Sequence, residues 1–236
     1  MIYVNLWTIF VEMITLQAYI ESAILPRYKD FDPAHRIDHA LQVIAESLKL
    51  AKHYDVDERM VYTIAAYHDI GLCEGRERHH LVSGRMLRGD KRLYEWFTDE
   101  EIETMAQAVE DHRASCGHAP RSIYGCIIAE ADRLIDPMLV LLRTVQYGLS
   151  HYPELDKEEH YQRYCEHLQE KYAEGGYLKL WIPESDNAAR LAELRALIAD
   201  EVRKRAAFEQ IYQSLYSSSP VSHSSSFSLF FGKASL

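Results

Sequence analysis

Histidine is unusually frequent in the first half of this chain. The sequence holds 12 histidines in 236 residues, and seven of them fall between His35 and His112. Histidine is the commonest metal ligand and a frequent general acid or base near neutral pH. A surface position is the simplest interpretation for four of the twelve: His53, His118, His151 and His160.

Several other histidines and two aspartates continue helical patterns of apolar residues. Apolar residues three or four positions apart share one face of a helix. Five such faces lead to a polar residue: His39, His68 followed by Asp69, His80, His112 and Asp132. An unpaired buried charge costs several kcal/mol, so a single residue of this kind usually has a local partner. Six of them, on different helices and facing a common core, favour a bound cation that compensates all of them.

The ligand types restrict the identity of this cation. Imidazoles and carboxylates without thiolates suit Mn²⁺, Fe²⁺, Co²⁺, Ni²⁺ or Zn²⁺. The four cysteines are far apart and form no C-x-x-C pair, which excludes thiolate-rich structural zinc. We interpret them as reduced thiols in a cytoplasmic protein. Four protein ligands around an octahedral ion leave two positions for water and substrate, as in a catalytic site.

The elements that position these residues are predicted to be helices. Apolar residues recur with a helical period in segments that start near Ile37, Val61, Ile102 and Ile123. Pro137 after Asp136 indicates the first turn of a further helix, and later helices are predicted over about 156–173 and 186–213. Gly71 is predicted to end the second helix. No alternating strand pattern of useful length is present, so the fold class is all-α.

The two ends of the chain differ from its middle. The predicted organisation is an upstream extension at 1–12, with Met13 as the natural start, a single helical domain at 13–214 and a disordered serine-rich tail at 215–236. Within that domain the core lies at about 30–140 and a helical extension at 141–214. Asn5, Glu12 and Gln17 interrupt the apolar N-terminus, which argues against a membrane helix. No basic residue precedes it, which argues against a secretory signal.

The charge of the chain restricts its partners. The formal net charge is −10 and the sequence pI is about 5.6, which argues against binding a nucleic-acid polymer. The net negative charge is still compatible with binding a nucleotide or sugar phosphate in a locally basic pocket. We therefore expect a small phosphorylated metabolite as partner, and no membrane. The long C-terminal helix offers a surface through which the chain can form a homo-oligomer.

The ordered set of polar residues resembles the HD-domain superfamily of metal-dependent phosphohydrolases. That family carries a histidine, then a His-Asp doublet, then a distant aspartate, all on helices. The corresponding segments here are HRIDHALQVI with His39, IAAYHDIGL with His68 and Asp69, and IIAEADRLID with Asp132. The resemblance covers about residues 30–140 and implies an HD-domain-like helical bundle.

The resemblance also implies a ligand set. His39, His68, Asp69 and Asp132 would hold a first ion, with His68 and Asp69 as the catalytic doublet. Members with two ions carry two further histidines between the doublet and the last aspartate. His80 and His112 occupy such places, with Asp69 bridging the two ions. His79 competes with His80, but the family's usual His-x-x-x-Gly spacing to Gly84 favours His80.

The implied reaction is hydrolysis of a phosphate ester by a metal-activated water. The negative charge of the phosphate requires cationic side chains in the site. Four residues are candidates for binding the substrate: Arg36, Arg113, Arg133 and Lys171. The segment GGYLKLW at 175–181 combines a turn, a lysine and aromatics. It is interpreted either as a pocket wall for an organic leaving group or as packing.

Two other functions fit the same residues. The fold also hosts di-iron oxygenases with a similar His/Asp set. A non-catalytic module that senses a nucleotide is the second alternative. Fold resemblance does not choose the substrate, and nucleoside monophosphates, dinucleoside polyphosphates, cyclic nucleotides and sugar phosphates all stay open.

Overall fold

The structure, a computed structural model, describes residues 15–31 and 35–217. Across these residues it contains helices and turns but no strand, which confirms the all-α prediction. Its α-helices in chain order are α1 (Ile37–Ala51), α2 (Glu58–Tyr67), α3 (His79–Gly89), α4 (Asp99–Asp111), α5 (Ile123–Arg133), α6 (Pro137–His151), α7 (Lys157–Lys171), α8 (Asn187–Ala199) and α9 (Glu201–Ser217).

Local sequence explains where the helices begin. Thr98 and Glu101 form a capping box at the start of α4, each bonding the backbone N–H of the other. Asp136 accepts a hydrogen bond of 2.8 Å from the N–H of Leu139, and Pro137 is the first residue of α6. Each such cap contributes about 1 kcal/mol. The predicted start of α6 is therefore correct.

The described chain forms two compact units. The first comprises the described residues up to Ile135 together with Tyr177–Ala192, and the second comprises Asp136–Gly176 and the described residues from Glu193 onward. A single domain with a C-terminal extension was expected. The sequence of Tyr177–Ala192 has no helical apolar pattern before Asn187. Periodicity therefore does not reveal that this segment belongs to the first unit.

The first unit contains α1 to α5 around one apolar core. Before α1 the chain is helical over 15–19, forms a π-helical turn at Ile20–Ile24 and continues as a 3₁₀-helix at Leu25–Asp30. Ile20 and Ile24 are fully buried, as are Ile64 of α2 and Leu87 of α3. Burying an aliphatic side chain of this size contributes about 1.5–3 kcal/mol. This core fixes the helix ends that carry the polar residues.

A buried carboxylate attaches the returning segment to the first unit. Glu130 of α5 is fully buried and accepts hydrogen bonds from the N–H groups of Trp181 at 2.7 Å and Ile182 at 3.4 Å. The hydroxyl of Ser185 and the amide of Asn187 also donate to it. Since a buried carboxylate needs several donors, Glu130 and this segment stabilise each other.

The second unit has a core of aromatic and aliphatic side chains from α7 and α9. Tyr161 packs edge-on against Phe208, with ring centroids 5.1 Å apart. His160 was expected on the surface, but it is buried with its ring 5.9 Å from that of Tyr212. The predicted helix over 186–213 is divided at Asp200, whose carboxylate accepts a hydrogen bond from the N–H of Arg203 and thereby caps α9.

The predicted upstream extension lies outside the described residues, as does most of the predicted tail. The beginning of that tail, 215–217, is the last part of α9. Among the described helices, none combines the length and the apolar composition needed to cross a membrane.

Candidate metal centre

Five helix ends bring six polar side chains together. His39 lies in the first turn of α1, His68 directly after α2 and His112 directly after α4. Asp69 follows His68, and Asp132 lies in the last turn of α5. The sixth, His79, is the first residue of α3. The side chains of His68, Asp69, His79 and His112 are buried, so they meet inside the first unit.

The first group consists of His39, His68, Asp69 and Asp132. His39 Nε2 lies 3.1 Å from Asp132 Oδ1 and 3.3 Å from His68 Nε2, and His68 Nε2 lies 3.3 Å from Asp69 Oδ2. The other two His–Asp distances are both 3.8 Å. Nitrogen and oxygen ligands bind Zn²⁺ at about 2.0–2.2 Å, so neighbouring ligand atoms are roughly 3 Å apart. His39, His68 and Asp69 therefore lie close enough together to hold one transition-metal ion, with Asp132 beside His39.

The second group shares Asp69 with the first. Asp69 Oδ1 lies 3.3 Å from His79 Nε2 and 3.5 Å from His112 Nε2, and the two histidine nitrogens are 3.2 Å apart. These three residues could also hold an ion. Because Oδ1 faces this group and Oδ2 faces the first, the Asp69 carboxylate could bridge two ions.

The structure places His79, and not His80, in the second group, which corrects the choice made from spacing. His79 is the first residue of α3, and its Nδ1 lies 2.8 Å from the carbonyl oxygen of Arg76. That contact directs Nε2 toward Asp69. His80 is rotated by about 100° around the helix and lines a separate cavity with Glu110 and Cys116.

Gly71 allows α3 to approach the His-Asp doublet. A Cβ atom on Gly71 would lie 2.2 Å from the carbonyl oxygen of His79 and 2.6 Å from the nitrogen of Ser83. These are backbone atoms, which cannot move aside without shifting α3. Gly71 was predicted to end α2, but α2 ends at Tyr67 and Gly71 lies in the 3₁₀-helix Ile70–Glu74. Its role is close packing, which brings His79 within reach of Asp69.

The orientation of the rings favours a cation between them. The Nδ1 atoms of His68, His79 and His112 each lie 2.6–2.8 Å from the carbonyl oxygen three residues earlier. A neutral imidazole that donates from Nδ1 has a lone pair on Nε2. The Nε2 atoms of His79 and His112 then face each other at 3.2 Å. At this distance the two nitrogens need a positive charge between them, either a proton carried by one ring or a metal cation bound by both.

Opposite charges dominate the metal-free centre. Burial alone would lower the pKa of His68, but the neighbouring Asp69 carboxylate raises that pKa to about 9. Burial would raise the pKa of Asp69, but His68 and His112 hold it well below its usual range. Burial and the nearby His112 lower the pKa of His79. His68 is therefore protonated and Asp69 ionised at neutral pH when no ion is bound.

We expect a divalent ion that binds at pH 7 to displace about one proton per chain from His68, because only the neutral imidazole binds a metal. Titration calorimetry in two buffers of different ionisation enthalpy measures this release. Since the pKa of His68 is raised from 6.5 to about 9, its protonation stabilises the metal-free fold most below pH 6.5, and this contribution is lost as pH rises through about 9. Metal binding without proton release at pH 7 would contradict the protonated state.

A tyrosine that the sequence did not single out holds the doublet in place. Tyr28 is fully buried, and its hydroxyl donates to the carbonyl of Ala66 at 2.9 Å and accepts from the N–H of Asp69 at 3.2 Å. It thereby satisfies two backbone groups at the end of α2. Its neighbours in the sequence, Arg27, Lys29 and Asp30, are charged and give no sign of this role.

The four predicted substrate-binding cations have different surroundings. Arg133 donates to the carbonyls of Lys179 at 2.9 Å and His112 at 3.2 Å, and Arg113 donates to the carbonyl of Glu77 at 2.5 Å. Both line one cavity of the first unit. Arg36 is exposed and donates to the carbonyl of Phe31. Lys171 belongs to the second unit, where its ammonium lies 5.0 Å from the ring centroid of Tyr172.

Comparison with known proteins identifies the part of the chain that carries this centre. Residues 36–135 match the family model of the HD domain. This region is an HD domain, which confirms the resemblance found in the sequence. HD domains depend on metal ions, and the described residues include two His/Asp groups that could hold one.

One similar solved structure is a predicted HD superfamily hydrolase from an uncultured Thermotogales bacterium. It is 21% identical to this chain, with a TM-score of 0.45, and the match covers 70% of this chain and 94% of the other. No match to a curated protein was found.

Proposed function

We propose that this protein hydrolyses a small phosphate ester with one or two divalent transition-metal ions. The observation that carries the proposal is the arrangement around Asp69, whose two oxygens each face a separate group of histidines. Imidazole and carboxylate ligands suit Mn²⁺, Fe²⁺, Co²⁺, Ni²⁺ and Zn²⁺. A small phosphorylated metabolite is the proposed partner.

His39, His68, Asp69 and Asp132 would hold the first ion, and Asp69, His79 and His112 the second. When bound, such ions polarise a phosphoryl oxygen and lower the pKa of a water ligand toward ~7. The protein supplies the fixed positions of these ligands, because backbone carbonyls orient three of the imidazoles.

The ligands of the centre differ in exposure. The side chains of His68 and His112 are at most 2% exposed, whereas those of His39, His79 and Asp132 are 13%, 11% and 25% exposed. A substrate would therefore approach beside Asp132, the most exposed ligand, while His68 and His112 stay shielded from bulk water.

The test is metal analysis followed by a substrate screen. The purified protein, without a purification tag, should take up one or two ions per chain from at least one of the five metals, measured by inductively coupled plasma mass spectrometry. The loaded protein should then release inorganic phosphate from nucleoside monophosphates or sugar phosphates, or open cyclic nucleotides to nucleoside monophosphates. Failure to bind any of the metals would refute the proposal. Oxygen consumption by the iron-loaded protein without ester turnover would favour the oxygenase alternative instead.

A further inference from the structure

A cavity of about 330 Å³ lies in the first unit beside the candidate metal centre. Its walls are the loop after α4, Arg133 of α5 and three residues of the returning segment: Tyr177, Lys179 and Trp181. Its volume is at the lower end of the range of about 300–1,000 Å³ typical of small-molecule sites.

The wall formed by the returning segment is firmly held. Leu178 and Ile182 are 4% and 3% exposed, so they anchor the segment in the core. Tyr177, Lys179 and Trp181 line the cavity and alternate along the chain with Leu178 and Ile182, which are buried, and Leu180, which is half-buried. The N–H of Trp181 donates to the buried Glu130 at 2.7 Å. The aromatic wall is therefore positioned before any ligand binds.

The cavity has an excess of positive charge in a chain of net charge −10. Arg113, Arg133 and Lys179 line it. Its acidic residue, Asp111, is buried and accepts hydrogen bonds from Arg121 at 2.8 Å and 3.0 Å, so its charge is compensated. Three cations beside two aromatic side chains match a ligand that has both an anionic group and a planar ring.

Two cavity residues directly follow residues of the metal centre. Arg113 comes after His112, and Arg133 comes after Asp132, which is the more exposed side of the centre. Arg133 also donates to the carbonyl of His112 at 3.2 Å. A ligand whose reacting phosphate lies at the centre would thus have the cavity next to it for the rest of the molecule.

We propose that this cavity binds the leaving group of a nucleotide that carries a second phosphate, as in a nucleoside bisphosphate. This inference rests on the proposed function. The base would stack on Tyr177 and Trp181, and the phosphate that is not cleaved would bind the cations. Water adds to the phosphorus of the other ester, the bond from phosphorus to the ribose oxygen breaks, and that oxygen takes up a proton. The products are a nucleoside monophosphate and inorganic phosphate.

Three probes separate the contributions of the base and of the second phosphate. Adenosine 3′,5′-bisphosphate has both, adenosine 5′-monophosphate lacks the second phosphate, and ribose 5-phosphate also lacks the base. We expect kcat/KM to fall by about tenfold at each step, in line with the strength of base stacking and of charge-assisted hydrogen bonds. Equal values for the three probes would overturn the assignment.

Two exposed residues allow substitution with little risk to the fold. Tyr177→Ala should lower kcat/KM about tenfold for both nucleotides and leave ribose 5-phosphate unchanged, and Tyr177→Phe should restore most of the loss. Lys179→Ala should reduce the preference for the bisphosphate over the monophosphate. Tyr94→Ala and Lys91→Ala, at exposed positions of the same unit that do not line this cavity, should change none of these values.

Calorimetric binding of adenosine 3′,5′-bisphosphate to the Asp69→Ala protein separates the cavity from the hydrolysis. Binding that Tyr177→Ala weakens would support the cavity even if no ester is hydrolysed, in which case only the proposed function fails. Hydrolysis of esters with no effect of Tyr177→Ala or Lys179→Ala would overturn the cavity and leave the hydrolase standing. The absence of both binding and hydrolysis would overturn both.

Discussion

Replacing Asp69 with alanine is expected to remove both ions from the protein and to reduce ester hydrolysis to background. Asp69 is the residue that faces both histidine groups, at 3.3 Å from His68 on one side and 3.3 Å from His79 on the other. Loss of a residue that only orients a ligand costs roughly 10–100-fold in metal affinity or activity. Loss of a shared ligand should cost more. Metal content per chain and phosphate release measure the effect.

Asp38→Ala is the matched control for this substitution. Asp38 precedes His39 in α1 and is exposed, so its loss should change neither metal content nor activity. Asp69→Asn keeps the size of the side chain and serves as a second variant if the alanine protein does not fold, which circular dichroism would show. An Asp69→Ala protein that is folded and retains two ions would contradict the bridging role.

Replacing His79 with alanine is expected to remove one ion per chain, whereas His80→Ala should keep the metal content of the unmodified protein. His79 Nε2 lies within 3.3 Å of both Asp69 and His112, and His80 lies outside the centre. We expect hydrolysis to fall by about 10–100-fold in the first variant. The two histidines are adjacent in the chain, so each variant is the control for the other.

The opposite result would support the assignment of His80 to the second ion, which was made from its spacing to Gly84. Loss of one ion in His80→Ala, with none lost in His79→Ala, would mean that the start of α3 differs from the structure. Loss of metal in both variants would indicate that α3 itself had shifted. The variant Gly89→Ala is the control, because it shows whether a substitution elsewhere in α3 changes the metal content. Gly89 is exposed at the end of the same helix, and apart from its chain neighbours and the backbone of α3 no atom lies within 4 Å of its added Cβ.

Helical periodicity identified most of the residues that the structure brings together. His39, His68, His112 and Asp132 each extend an apolar stripe, and a stripe reports which way a side chain points. For α3 the same periodicity led to His80, whereas the structure brings His79 to the centre. They lie at the first turn of α3, where the chain has no preceding helical residues to fix the direction of each side chain. The contact between Gly71 and the backbone of α3 decides between them, and it is a tertiary contact.

The division into two units was less accessible from the sequence. The segment before Asn187 lacks a helical apolar pattern, and the buried carboxylate of Glu130 is one of the groups that attach it. One signal was present, because Glu130 lies three residues after Ile127 on a buried face of α5. A charge at such a position requires partners from elsewhere in the chain. Which segment supplies them depends on the tertiary structure.

His39 and Asp132, 3.1 Å apart, join the first and last helices of the HD domain. An ion held by both residues acts as a reversible cross-link across a loop that contains α2, α3 and α4. Cross-links over long loops restrict the unfolded chain strongly. Metal bound at this position would therefore stabilise the fold as well as supply chemistry, and a chelator would act on the loaded chain as a reductant acts on a disulfide-bonded protein.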